Sequence, residues 1–96
     1  MTGDQMFDVA RSFRSCCDCK DEFERVLVET AALEAAYRIF YGEPGSDESA
    51  IEVGMSKLIT LGAVDSFTKR MTRLYRSAFL TMTALARAGL TRARRI

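Results

Sequence analysis

From Asp65 to Ala88 the apolar residues fall at helical spacing while basic residues gather on the opposite side. Phe67, Met71, Leu74, Ala78, Met82 and Leu85 make a stripe held for about five turns. Lys69, Arg73, Arg76 and Arg87 lie across from it. A helix of this kind must bury one face against other elements, which commits the chain to helix-on-helix packing. The 96 residues suffice for one domain with one modest core. We read residues 1–90 as that domain and residues 91–96 as a short basic tail.

No apolar run reaches the roughly 18–20 residues of a membrane span. The longest, Leu58–Val64, is interrupted by Thr60 and Gly62. The opening residues, Met1 to Asp8, lack the basic-then-apolar order of a secretory signal. The expectation is a cytoplasmic protein without membrane contact. Its net charge of +1 conceals a division. Residues 1–64 hold 6 Lys and Arg against 12 Asp and Glu, a net of −6, whereas residues 65–96 hold 8 against 1, a net of +7. Such asymmetry fits an anionic partner for the basic half, or halves that complement each other within one chain or across a dimer.

Thr2 with Gln5 forms a capping-box pattern, and Asp4 and Asp8 follow where the helix dipole favours negative charge. Neither Pro nor Gly occurs from there to Tyr41. Met6, Val9, Ala10, Phe13, Cys16 and Cys17 make one stripe; Phe23, Val26, Leu27, Leu33, Tyr37 and Phe40 make the next. The spacing predicts one long helix over 4–41 rather than two, kinked if anywhere at the weak patch Asp18 to Asp21. Its second part is apolar on two sides, because Val28, Ala31, Ala32, Ala35 and Ile39 cover the face opposite the aromatic stripe. Such a helix needs two partners. Small residues admit a close helix, so Val28, Ala32, Ala35 and Ile39 are the expected interface of a helical homodimer. The plainer alternative has Val28 and Ile39 packing under the following loop.

Gly42 and Pro44 end this helix, and Ser46 caps the next, whose predicted buried face is Ile51, Met55, Leu58 and Leu61. Gly62 stops that one, Asp65 or Ser66 is the expected cap of the basic helix, and Gly89 with Leu90 its expected end. No strand-like alternation of useful length is present. The fold class is all-α: a long N-terminal helix plus a C-terminal antiparallel helical hairpin.

Candidates for chemistry are few. Cys16, Cys17 and Cys19 resemble a thiolate cluster, but a zinc site wants four ligands, and the chain has no His and no other Cys. We read them as small hydrophobes, with a thiol switch and a metal site as the alternatives. Without His the commonest general base is missing, and no nucleophile-elbow, phosphate-loop or dinucleotide pattern occurs. The expectation is a protein that is not an enzyme and holds no cofactor or metal.

Two binding readings follow. Helix 51–61, a Gly-containing break and helix 66–88 outline a helix-turn-helix presenting Lys69, Arg70, Arg73 and Arg76, which suits nucleic-acid phosphates. The base-reading end would offer only Ser66, Thr68 and Lys69. Leu80 projects among the cations, an arrangement that suits a protein surface better than DNA. Lys69, Arg73, Arg76, Leu80 and Arg87 are therefore the expected partner-binding residues. The reading adopted is a small regulatory binding protein, an inhibitor or anti-activator occupying a larger protein such as a transcription regulator. Nucleic-acid binding through the basic helix is the alternative.

Overall fold

The computed structural model of the chain describes residues 2–95, with side chains described through position 89. Among these residues it is all-helical: α1 (Gly3–Ser12) runs into a single 3-10 turn (Phe13–Ser15), followed by α2 (Glu22–Tyr41), α3 (Asp47–Thr60) and α4 (Lys69–Arg95).

Each helix begins on a polar side chain that takes up an orphan amide. The Thr2 hydroxyl accepts from the Gln5 N–H at 3.2 Å, and the Thr2 N–H donates to Gln5 Oε1 at 2.9 Å, completing the capping box. Asp21 accepts from the Glu24 N–H at 2.9 Å and Ser46 from the Ser49 N–H at 3.1 Å. Thr68, not Asp65 or Ser66, caps α4 by accepting from the Met71 N–H at 3.1 Å. Gly42 closes α2 in the left-handed conformation (φ 67°), which only glycine adopts without strain.

The N-terminal segment is two helices, not one. At Cys16 the backbone leaves the helical region (φ −58°, ψ 124°), and the Cys19 N–H closes a turn on the Cys16 carbonyl at 3.4 Å. The turn is built from the weak helix formers at 16–21, and Asp21 at its end prefers capping a new helix to continuing an old one. At the other terminus α4 continues through Gly89, itself buried, to Arg95. The predicted stop at Gly89 is therefore not made. The basic tail at 91–96 involves side chains outside the described residues.

The largest helix–helix interface joins α2 to α4, and α1 covers a second flank of α2. From α2 the core takes Leu27, Val28, Ala31, Ala32, Ala35 and Ala36; from α4 it takes Leu74, Tyr75, Ala78, Phe79, Met82 and Ala86. Small residues on one helix and large ones on the other let the two axes approach closely. Burying a ring such as Phe79 contributes about 1.5–3 kcal/mol. The buried face of α4 is thus centred beside the predicted stripe: Leu74, Ala78 and Met82 are inside as expected, but Leu85 is exposed and Tyr75, Phe79 and Ala86 join the core. In α3, Ile51 is buried, Met55 and Leu58 are half-buried, and Leu61 is exposed.

Tyr75 explains a glycine. Its ring is fully buried, its hydroxyl has no hydrogen-bond partner among the described residues, and burial pushes its phenol up to about 12. The hydroxyl abuts Gly54 of α3, where an added Cβ would lie 2.2 Å from Oη. Gly54→Ala is expected to lower stability by about 1–3 kcal/mol, the range for overpacking. Tyr75→Phe, which removes an unmatched hydroxyl, should raise it by about 1 kcal/mol. Urea midpoints of the two single variants and the double variant check this. The Gly54→Ala loss should shrink in the Tyr75→Phe background, and equal losses in both would show that the hydroxyl is not what Gly54 accommodates.

Candidate functional site

The basic face of α4 divides once the helices pack. Arg76 donates through both terminal nitrogens to the Glu48 carboxylate, and Arg87 donates to Asp47 at 3.0 and 3.2 Å. Asp47 also accepts from Arg38 of α2 at 2.7 Å, and these guanidinium contacts, Arg87 first, hold its carboxyl below the usual range. Leu80 is half-buried and packs against the core. Lys69 and Arg73 are exposed and make no ion pair among the described residues. Of the two meanings of the charge division, complementarity within one chain accounts for Arg70, Arg76 and Arg87. The connection between α3 and α4 occupies residues 61–68, longer than the 3–4-residue turn of a helix-turn-helix unit.

The residues expected to meet a second copy lie against the chain's own core. Val28 is 3% exposed, Ala32 and Ala35 are fully buried, and Ile39 is half-buried against the same core. The two partners that α2 requires are α4 and α1 of its own chain. Val28, Ala32 and Ala35 are consequently interior positions with Ile39 at the edge of the same core, and a contact with another copy through the three buried residues would require opening the core.

What remains outside is the aromatic stripe. Phe23, Val26, Tyr37, Phe40 and Tyr41 are between 42% and 61% exposed, and Leu33 is half-buried between them. Their steps of three and four residues, with Thr30 in line, set them along one face of α2. The C-terminal end is a cluster: Tyr37 and Tyr41 ring centroids lie 4.4 Å apart, Phe40 and Tyr41 4.9 Å in an edge contact, and Phe40 and Phe7 of α1 5.9 Å. Gly3 allows Phe40 to lie over α1, since an added Cβ would come 2.6 Å from the ring. Taking ~150–250 Å² per aromatic side chain, the exposed portions sum to roughly 400–500 Å², the size of the largest patch on an ordinary monomer and often a functional one. The bordering charges neutralise one another: Arg14 pairs with Glu22 and lies 3.9 Å from Glu29, and Arg25 lies 3.9 Å from Glu22. Three further apolar residues are exposed, Val53 and Ile59 on α3 and Leu61 just past its end.

Of the apolar stripe expected on this side of α2, Leu27 joins the core, whereas Phe23, Val26, Tyr37 and Phe40 are exposed together with Tyr41. The signal that distinguishes the two faces is bulk: Tyr75 and Phe79 of α4 need a flat, small-residue surface, which only the alanine face of α2 provides.

At the start of α2 lies a polar clamp. Arg70 grips Glu24 with two hydrogen bonds of 2.8 Å, and its Nη2 also donates to the Asp18 carbonyl at 2.8 Å. The Lys20 N–H donates to Glu24 Oε1 at 2.9 Å. Within the adjoining turn Cys19 is buried, Cys16 is half-buried and Cys17 is exposed. All three cysteines are free. No group of three or more His, Cys, Asp or Glu side chains placed to hold a metal occurs among the described residues, and no helix among them is long and apolar enough to cross a membrane. Comparison of the chain with family models, with curated proteins and with solved structures yields no match.

The clamp has a pH signature. The Arg70 guanidinium, helped by the Lys20 amide, holds the Glu24 carboxyl at about 2 against an ordinary value of 4.5. A carboxyl depressed by folding contributes stability above its unfolded pKa and loses it as the pH falls through the folded one. Glu24→Gln should therefore unfold at lower urea than the parent at neutral pH, with a gap that closes between pH 4.5 and 2. A gap that persists unchanged to pH 2 would mean that the charge of Glu24 is not what stabilises the joint.

Proposed function

We propose that this chain is a non-enzymatic regulatory binding protein that seats the outer face of α2 in an apolar groove of a larger protein, as an inhibitor or anti-activator does. The observation that carries the reading is the exposed ridge of Phe23, Val26, Tyr37, Phe40 and Tyr41, with half-buried Leu33 between them, on a helix whose alanines Ala31, Ala32, Ala35 and Ala36 are all buried. A helix offering large side chains at steps of three and four is the ligand half of helix-in-groove recognition, and aromatic anchors dominate the energetics of such contacts.

Shape and charge favour this occupant over the others. The ridge stands on the outer face of a helix with large aromatic side chains at both ends, the form of ligand that an apolar groove receives. Its bordering ions are paired with each other, so it attracts apolar protein surface rather than phosphate. We take α3 and α4 as an antiparallel pair; of the two, α4 packs along α2 and, with α1, supports the helix that carries the ridge. The regulated partner is a larger protein, a transcription regulator among the candidates. Nucleic-acid binding by α4 is the weaker reading, because Arg70, Arg76 and Arg87 already face carboxylates.

The test compares the parent with a Tyr37→Ala, Tyr41→Ala variant and a Lys69→Glu, Arg73→Glu variant, each with its fold checked by thermal unfolding. A partner captured from source cells and then purified should bind the parent and the charge variant alike. The ridge variant should bind about thirtyfold more weakly, as loss of about 2 kcal/mol of anchor energy implies. Equal binding by the ridge variant overturns the assignment. A parent that sediments as a dimer, and a ridge variant as a monomer, would give the ridge to a second copy. Salt-sensitive duplex binding lost only in the charge variant would return the function to α4.

A further inference from the structure

We infer that Cys16 and Cys19 are a redox-active pair, a site at which this protein exchanges two thiols for one intramolecular disulfide with low-molecular-mass disulfides of the glutathione type. The inference stands on the turn that separates α1 from α2 and is independent of the ridge.

Three features of the turn converge on it. First, the spacing is Cys-x-x-Cys, and the Cys19 N–H to Cys16 carbonyl bond of 3.4 Å makes residues 16–19 a β-turn. A β-turn brings its end Cα atoms within about 7 Å, close to the separation a disulfide spans. Second, the turn places both thiols in one small neighbourhood, near enough for Cys16 to influence the ionisation of Cys19. Third, they are unequal in access. Cys16 is half-buried and borders a cleft of about 210 Å³ with Phe13, Asp18, Leu74 and Ser77, open to a small oxidant, while Cys19 is 6% exposed. Burial, with the Cys16 thiol beside it, raises the Cys19 thiol to about 11. Cys16 is therefore the thiol that meets the oxidant, and Cys19 the one that resolves the product.

The exchange balances without any further reagent. The Cys16 thiolate attacks one sulfur of glutathione disulfide, forming a Cys16–glutathione bond and releasing one glutathione thiolate. Cys19, giving up its proton, then attacks Cys16 Sγ, forming the Cys16–Cys19 bond and releasing the second glutathione. Two protein thiols are oxidised and one glutathione disulfide is reduced to two glutathiones. The four-residue loop is too short for the bond to act as a staple of the unfolded chain. Its reach is local: the turn holds the Asp18 carbonyl that Arg70 grips and leads through Lys20 to Glu24, so the pair sits on the joint between α2 and α4.

The test uses the full chain with Cys17→Ala, which leaves only the proposed pair. After equilibration over graded ratios of reduced to oxidised glutathione, remaining thiols are alkylated and intact masses recorded. The expected product is a monomer about 2 Da lighter, with both alkylation sites lost and both restored by dithiothreitol; the tryptic peptide Ser15–Lys20 should carry the link. Removing Cys19 as well, by Cys19→Ala, should stop the reaction at a single glutathione adduct on Cys16. The inference is overturned if the Cys17→Ala chain keeps both thiols alkylatable under oxidised glutathione. It is equally overturned if that chain accumulates only glutathione adducts or covalent dimers.

Discussion

The contact between the alanine face of α2 and the Tyr75–Phe79–Met82 face of α4 decides most of what surrounds it. Close approach of two helices requires small residues on at least one side. α2 supplies them at Ala31, Ala32, Ala35 and Ala36, all fully buried. Once that face is inside, geometry turns the bulky residues at 23, 26, 37 and 41 away from α4. The core and the exposed ridge are therefore two results of one choice of helix face.

The same contact organises the charges. With α2 and α4 fixed, Arg70 comes within 2.8 Å of Glu24, and Arg87 and Arg38 meet around Asp47. The acidic N-terminal two thirds and the basic last third are held together by these bridges, which lie at the joints between helices. Exposed pairs such as Glu48 with Arg76 contribute little each. Glu24 differs because it is 3% exposed and fully ligated, so removing its partner would leave a buried charge unmatched.

Local signals in the sequence read well because their physics is local. The Thr2–Gln5 box, the left-handed Gly42, the Ser46 cap and the all-helical class all follow from residues within a few positions of one another. The break at 16–21 was missed because absence of Pro and Gly permits a helix without requiring one; Asp21 with Glu24 three residues later was the available sign of a fresh start. The orientation of α2 was missed for a different reason. Both of its faces are apolar, so hydrophobicity cannot rank them, and the ranking comes from α4, which begins 28 positions after α2 ends. Gly89 reads locally as a helix end, yet it is buried within a helix that runs on to Arg95. The ridge was thus visible as a pattern in the sequence, but its exposure was not.

The position of Asp47 has a consequence for how the molecule comes apart. α3 buries only Ile51 and Gly54 fully, and its interface with α4 is far smaller than that of α2. Its first residue, by contrast, is pinned from two sides by Arg38 and Arg87. A segment held firmly at one end and thinly along its length opens from its free end before the rest of the fold does. Amide exchange would accordingly run fastest toward Thr60 and slow toward the Asp47 end. The helix pair α2–α4 would remain the last structure to yield, so α3 behaves as a hinged flap on a two-helix spine.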